Sequence, residues 1–198
     1  MAKIKYTKNE IKKQKDQLKR FERYLPTLVL KKQLLQSEIR LVEVQIEEKQ
    51  LERDRMYAGL TSWVHVFGEE IDFSELVKVK EAKSDITNIA GVDIPLFQEI
   101  VFEKAPYDLM FYPLWVDAGI KMLQTVCSLD MELSILGKQA ELLGDELRVT
   151  TQRVNLFEKV KIPETKENIR RINIFLGDQQ TAAVVRGKLS KNKLVRGA

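Results

Sequence analysis

The sequence predicts a mainly α-helical protein: a long N-terminal and a long C-terminal helix pair antiparallel as a coiled coil, with a short β-hairpin and a small globular part between them. Three observations predict it. Leu129, Leu133, Leu136, Ala140, Leu143, Leu147, Thr150, Val154 and Phe157 step by four and three alternately, which lays them on one seam of a helix. At the other end, Ile4, Ile11, Leu18 and Leu25 share one heptad position, and Phe21, Leu28, Leu35 and Val42 share another. Between the two stretches the apolar period changes from 3.5 to two. The chain divides accordingly into a helix over 1–58, a middle segment over 59–113 and a helix with a basic tail over 114–198.

The first helix reads from Asn9, a residue type that can cap the free N–H groups of a first turn, to about Tyr57, with Gly59 as its stop. Pro26 interrupts it and brings no N–H to the carbonyl of Glu22, so a bend is expected there. After Pro26 the helix carries two apolar rows. One is Leu28, Leu35, Ile39, Val42 and Ile46; the other is Leu30, Leu34, Leu41, Val44 and Leu51. Two rows call for two neighbours, of which the C-terminal helix is one.

The middle segment alternates apolar and polar residues over Leu76 to Lys80 and is β-like again over Phe97 to Phe102, with turn residues at Ala90, Gly91 and Pro95. This predicts a β-hairpin over about 77–103. Its residues Val77, Val79, Gly91, Pro95, Phe97 and Val101 are the candidates for a regulatory arm that projects from the helices. Trp63, Phe67, Phe73, Phe97, Phe102, Phe111, Tyr112 and Trp115 supply a small aromatic core at the turn of the helical pair. Pro106 and Pro113 break the chain before the last helix, which starts near Leu114. Pro163 interrupts that helix in turn. Beyond it Ile169, Ile172, Leu176 and Ala183 resume the pattern shifted by one residue. Gly137 and Gly144, one heptad apart, suggest a close backbone neighbour, because a helix-interior glycine otherwise costs about 1 kcal/mol. The final residues, Ser190 to Ala198, continue no heptad and are expected to fray.

The 31% of charged residues and 8% of aromatics are the balance of a coiled coil rather than of a thick globular core. Net charge is +4, unevenly spread: +8 over residues 1–32, +5 over 186–198 and −9 between them. Antiparallel pairing brings the two basic ends together, and such a tip can steer association with an acidic surface. A single Cys rules out an intramolecular disulfide and fits a reducing compartment. The lysine-rich start lacks the apolar core of a signal peptide, and no run approaches the roughly 20 apolar residues of a membrane span. A cytoplasmic protein that can stand on a membrane complex is expected.

The residues of catalysis do not assemble. Nine glycines give no phosphate-binding loop, and one His with one Cys cannot build a His/Cys metal cluster. His65 reads as a loop residue, and Cys127 as a small hydrophobe without a partner base. Pairs such as Glu47-Glu48 and Glu69-Glu70 sit among other charges and read as solvated. No catalytic residue, metal ligand or cofactor is expected. Direct nucleic-acid binding is disfavoured, since only Tyr6, Phe21 and Tyr24 interleave with the basic residues.

Two blocks carry a family resemblance. Arg20-Phe21-Glu22-Arg23-Tyr24-Leu25-Pro26-Thr27-Leu28, followed by Leu30-Lys31-Lys32-Gln33, resembles the N-terminal helix of the D subunit of V-type (V/A-type) ATP synthases. Arg153-Val154-Asn155-Leu156-Phe157-Glu158, Ile162-Pro163, Asn168-Ile169-Arg170-Arg171-Ile172 and Phe175-Leu176-Gly177-Asp178-Gln179-Gln180 resemble its C-terminal helix. The resemblance implies a non-catalytic central-stalk axle that couples ATP turnover to proton or sodium transport. It implies three partners: a hexamer of catalytic and non-catalytic subunits, the F subunit of the stalk, and the subunit that caps the membrane ring. Residues placed by it in the bore of the hexamer are Arg20, Arg23, Ile169, Arg170, Arg171, Ile172, Asp178, Gln179 and Gln180. A self-contained coiled-coil scaffold with a basic tip explains the heptads equally well, but not the two proline-bearing blocks.

Overall fold

A computed structural model describes residues 5–61, 76–104, 112–113 and 115–196. Helix α1 runs over Lys8–Thr61, strands β1 and β2 over Val77–Ile89 and Val92–Lys104, and helix α2 over Val116–Asn155. A π-helical turn, Leu156–Lys161, then leads directly into helix α3, Ile162–Arg196. Trp63, His65, Phe67, Glu69, Glu70, Phe73, Pro106 and Phe111 lie outside the described residues.

The helices extend further than their sequence signals. The start of α1 is set by Thr7 rather than Asn9: its Oγ1 accepts a hydrogen bond from the Glu10 N–H at 3.2 Å. Gly59 does not end the helix, which continues to Thr61. The basic C-terminal segment is not frayed but helical to Arg196.

The chain forms two compact units, one of residues 1–32 with 149–198 and one of residues 33–148. In the second unit, Leu35 and Val42 of α1 share a buried cluster with Leu136 and Leu143 of α2, flanked by Ile39, Ile46, Ala140 and Leu147. Leu35 and Leu143 are fully buried. The pairing is antiparallel: Lys49 bonds Glu132 at 3.0 Å, while Arg53, further along α1, reaches back to Asp130 at 3.8 Å. Burying each large aliphatic side chain contributes about 1.5–3 kcal/mol, so a few heptads of such a seam hold two helices together.

In the first unit the same antiparallel sense holds. The rings of Phe21 and Phe157 meet at a tilt of 45° with centroids 5.2 Å apart, and those of Tyr6 and Phe175 at 42° and 4.9 Å. Val154, Thr165 and Ile172 are buried there, Ile172 completely.

The π turn accounts for the one-residue shift in the repeat. From Leu129 to Phe157 the seam steps by four and three, but the next buried position is Thr165, eight residues on rather than seven. A π turn holds one residue more than an α turn, closed here by the Ile162 N–H bonding the carbonyl of Phe157. The extra residue keeps Thr165, Ile169 and Ile172 facing inward. An uninterrupted α-helix would instead turn Glu164, Asn168 and Arg171 toward the seam.

Among the described residues the expected close approach at Gly137 and Gly144 is absent: a Cβ built on either would meet nothing within 4 Å. Both glycines then only weaken α2. Replacing each by Ala is expected to stabilise the protein by about 1 kcal/mol, read as a higher Tm with unchanged helical signal. A fall in Tm would show a neighbour pressed against that face.

Candidate interaction surfaces

The antiparallel hairpin is longer than its sequence signal, with 13 residues in each strand. Ala90 (φ 54°) and Gly91 (φ 80°) form its turn, both left-handed as a two-residue hairpin loop requires. Asn88 secures the turn: its Oδ1 accepts from the Gly91 N–H at 3.0 Å, and its Nδ2 donates to Asp93 at 2.6 Å. The register skips one residue on each strand, Lys80 on β1 and Gln98 on β2, so the two bulges cancel and pairing resumes in step.

The arm does not project freely. Its base, Leu76 and Val77, packs with Tyr112, Trp115, Val116 and Ile120 at the start of α2. Its tip, Ile89, Ala90, Val92 and Ile94, packs into the cluster of Leu35, Leu136 and Leu143. Those two anchor points are roughly 30 Å apart along α2, which 13-residue strands of about 40 Å can span. The physical reason is that a lone two-stranded sheet is marginal in water and needs a surface to cover. Ile94 supplies the anchor at 2% exposure, and the Gln139 side-chain amide donates to the carbonyl of Pro95. Strand β2 lies inward and β1 outward, its middle fully exposed and lysine-rich, which suits an open sheet edge.

The six hairpin candidates therefore divide. Val77 belongs to the base; Gly91 sits in the turn; Pro95 holds Gln139; Phe97 and Leu96 border a cavity of about 330 Å3 with Gln45, Glu48, Lys49, Glu132, Ile135, Leu136 and Gln139. Val79 is exposed, and Val101 is half-buried opposite Glu81. Beside the cavity, the hydrogen bond from Lys49 to Glu132 holds that ammonium above the usual lysine range. Ile94→Asp is expected to detach the tip and lower the Tm while the helices still pair. Unchanged hydrogen-exchange protection over residues 89–94 in that variant would contradict the docking.

Of the two apolar rows on α1, the structure buries Leu35 and Val42 and half-buries Leu28, Ile39 and Ile46. The other row stays in solvent. Leu30, Leu34, Leu41, Val44 and Leu51 are 46% to 64% exposed. With Ser37 and Glu48 this row repeats the 4–3 step of a seam, a surface that fits another helix.

The residues grouped by resemblance on the terminal helices also separate by face. Arg20, Arg23, Arg170, Arg171, Asp178, Gln179 and Gln180 are exposed or half-exposed. Glu167 pairs with the adjacent Arg170 and Arg171 of α3, at 3.7 Å and 3.0 Å. Ile169 is half-buried and Ile172 wholly buried, so these two face the interior of their own unit rather than its surface. The remaining seam candidates Leu129, Leu133, Leu147 and Phe157 are buried or half-buried. Two polar residues that periodicity alone does not single out, Gln139 and Thr165, are buried as well. The Thr165 hydroxyl bonds the Lys161 carbonyl at 2.6 Å. Among the described residues no group of three or more His, Cys, Asp or Glu could hold a metal ion, and no helix is long and apolar enough to cross a membrane.

A surface of this kind belongs to a protein that packs against others in an assembly. A family model for the D subunit of ATP synthase matches residues 10–192, and the chain belongs to that family. It is 53% identical over 196 residues to the V-type ATP synthase D subunit of Borreliella burgdorferi, covering 99% of this chain and 97% of that one. It is 34% identical over 198 residues to the protein of the same description from Chlamydia trachomatis serovar L2, covering 98% and 97% of the two chains. With the Chlamydia pneumoniae protein the identity is 32% over 194 residues, covering 96% and 93%.

Proposed function

We propose that this chain is the non-catalytic axle of the central stalk of a V-type ATP synthase, transmitting rotation between ATP turnover in a catalytic hexamer and ion transport through a membrane sector. The observation that carries the reading is the division of each terminal helix into a buried apolar seam and an exposed charged face. A shaft needs a seam whose interlocked side chains resist slipping, and an outer surface of many weak contacts rather than one deep anchor. Arg20, Arg23, Arg170, Arg171, Asp178, Gln179 and Gln180 are the outward contacts of this axle. Ile169 and Ile172 support them from behind. The basic charge over 1–32 and 186–198 favours entry into an acidic or polar bore.

The exposed row Leu34, Leu41, Val44 and Leu51 is the proposed seat of the stalk's F subunit, and the far end of the chain stands on the subunit that caps the membrane ring. The complex is cytoplasmic and peripheral at this chain. The hairpin is the proposed regulatory element.

Size-exclusion chromatography of the purified chain with the hexamer and with the F subunit tests the reading. The chain should co-elute with both. Leu41→Glu with Val44→Glu should abolish co-elution with the F subunit alone, because both side chains are exposed and contribute little to the fold. A wild-type chain that binds neither partner would exclude the axle.

A further inference from the structure

The pair of terminal helices carries two backbone defects at one level. Pro26 leaves the Glu22 carbonyl of α1 without its N–H donor. On the other helix the π turn Leu156–Lys161 is followed at once by Pro163, which brings no N–H to close the next bond. The contact between the tilted rings of Phe21 and Phe157 puts the two defects side by side, and Lys166 reaches Glu22 itself at 3.4 Å. Two turns from the π turn, Thr150 occupies a seam position, and its buried hydroxyl has no hydrogen-bond partner among the described residues. Thr27, next to Pro26, and Thr165, two residues after Pro163, turn their hydroxyls onto backbone carbonyls of Tyr24 and Lys161, a contact that loosens helices.

We infer that this level is a built-in flexure. A single interrupted helix braced by an intact neighbour would stay straight. With both ladders interrupted at the same height, bending and twisting concentrate there, and the Phe21–Phe157 contact acts as the pivot. The flanking seam residues keep their partners, because the residue inserted in the π turn holds Thr165, Ile169 and Ile172 on the inner face. The insertion is also removable. Without one residue between Phe157 and Thr165, the 4–3 spacing would run unbroken from Leu129 to Leu176.

Amide hydrogen exchange on the isolated full-length chain tests the inference independently of any partner. Exchange should show a local maximum at residues 18–26 and 157–165. It should be about tenfold faster there than at 35–46 and 136–147, and faster than in the turns of α1 nearer its start. A stiffened variant, Pro26→Ala and Pro163→Ala with Lys159 deleted, should erase the maximum and raise the Tm by roughly 5–10 °C. Pro26→Ala alone should remove the α1 half of it, which keeps the test sound if the triple variant folds poorly. Exchange that falls steadily from the termini inward in the wild type would overturn the flexure. So would a maximum unchanged in a folded Pro26→Ala protein.

Discussion

Leu143→Asp should abolish stable pairing of the helices in residues 33–148. Leu143 is fully buried and shares its cluster with Leu35, Val42, Leu136 and the tip residue Ile94. Loss of the leucine alone costs about 2–5 kcal/mol. A carboxylate left in its place faces no cation in that cluster and adds a desolvation penalty of similar or larger size. The sum is comparable with the whole stability of an ordinary domain, about 5–15 kcal/mol. Circular dichroism should show a lost or strongly lowered transition and reduced helical signal, since single long helices gain most of their stability from packing. Leu142→Asp is the control. Leu142 is exposed, and its replacement should leave the melting curve nearly unchanged.

The second large effect concerns coupling rather than folding. Arg170→Ala with Arg171→Ala should leave the isolated chain folded, because both side chains are well exposed and their bridges to Glu167 are the kind worth about 0–1 kcal/mol. In the assembled complex, the proposed loss of these outward contacts should lower the number of ions pumped per ATP hydrolysed. Removing residues 190–198 should cost little by the same measure, although α3 is helical to Arg196. If the truncation uncouples the complex and the double arginine variant does not, the working surface lies nearer the C-terminus than Gln180.

The pairing of the helices was legible because one seam residue every three or four positions survives any local detail. The shift of one residue after Pro163 was visible in the numbering, yet its cause was not. A π turn has no composition of its own, and only the spacing of eight from Phe157 to Thr165 marks it. Two rows on α1 could be read, but not which one stays exposed, because both are equally apolar and only the neighbour decides. The hairpin announced itself by alternation and by Ala90-Gly91. Its docking did not, since the helix residues that receive its base and its tip, among them Ile120, Leu136 and Gln139, are far from it in sequence. The glycines of α2 misled for a related reason: a cost of about 1 kcal/mol suggests a compensating contact, and a stable seam can simply bear it. Thr7 took the capping role from Asn9 because both residue types can cap and lie two positions apart.

The proposed rotation of this chain inside a catalytic hexamer is tested most directly by single-molecule observation. The hexamer is fixed to a surface, and a probe is attached through a cysteine placed at exposed Glu81 on β1, with Cys127 replaced by Ser. On addition of ATP the probe should rotate continuously in one direction, and stop when ATP is removed. A probe that stays still while the same complexes hydrolyse ATP would contradict the axle.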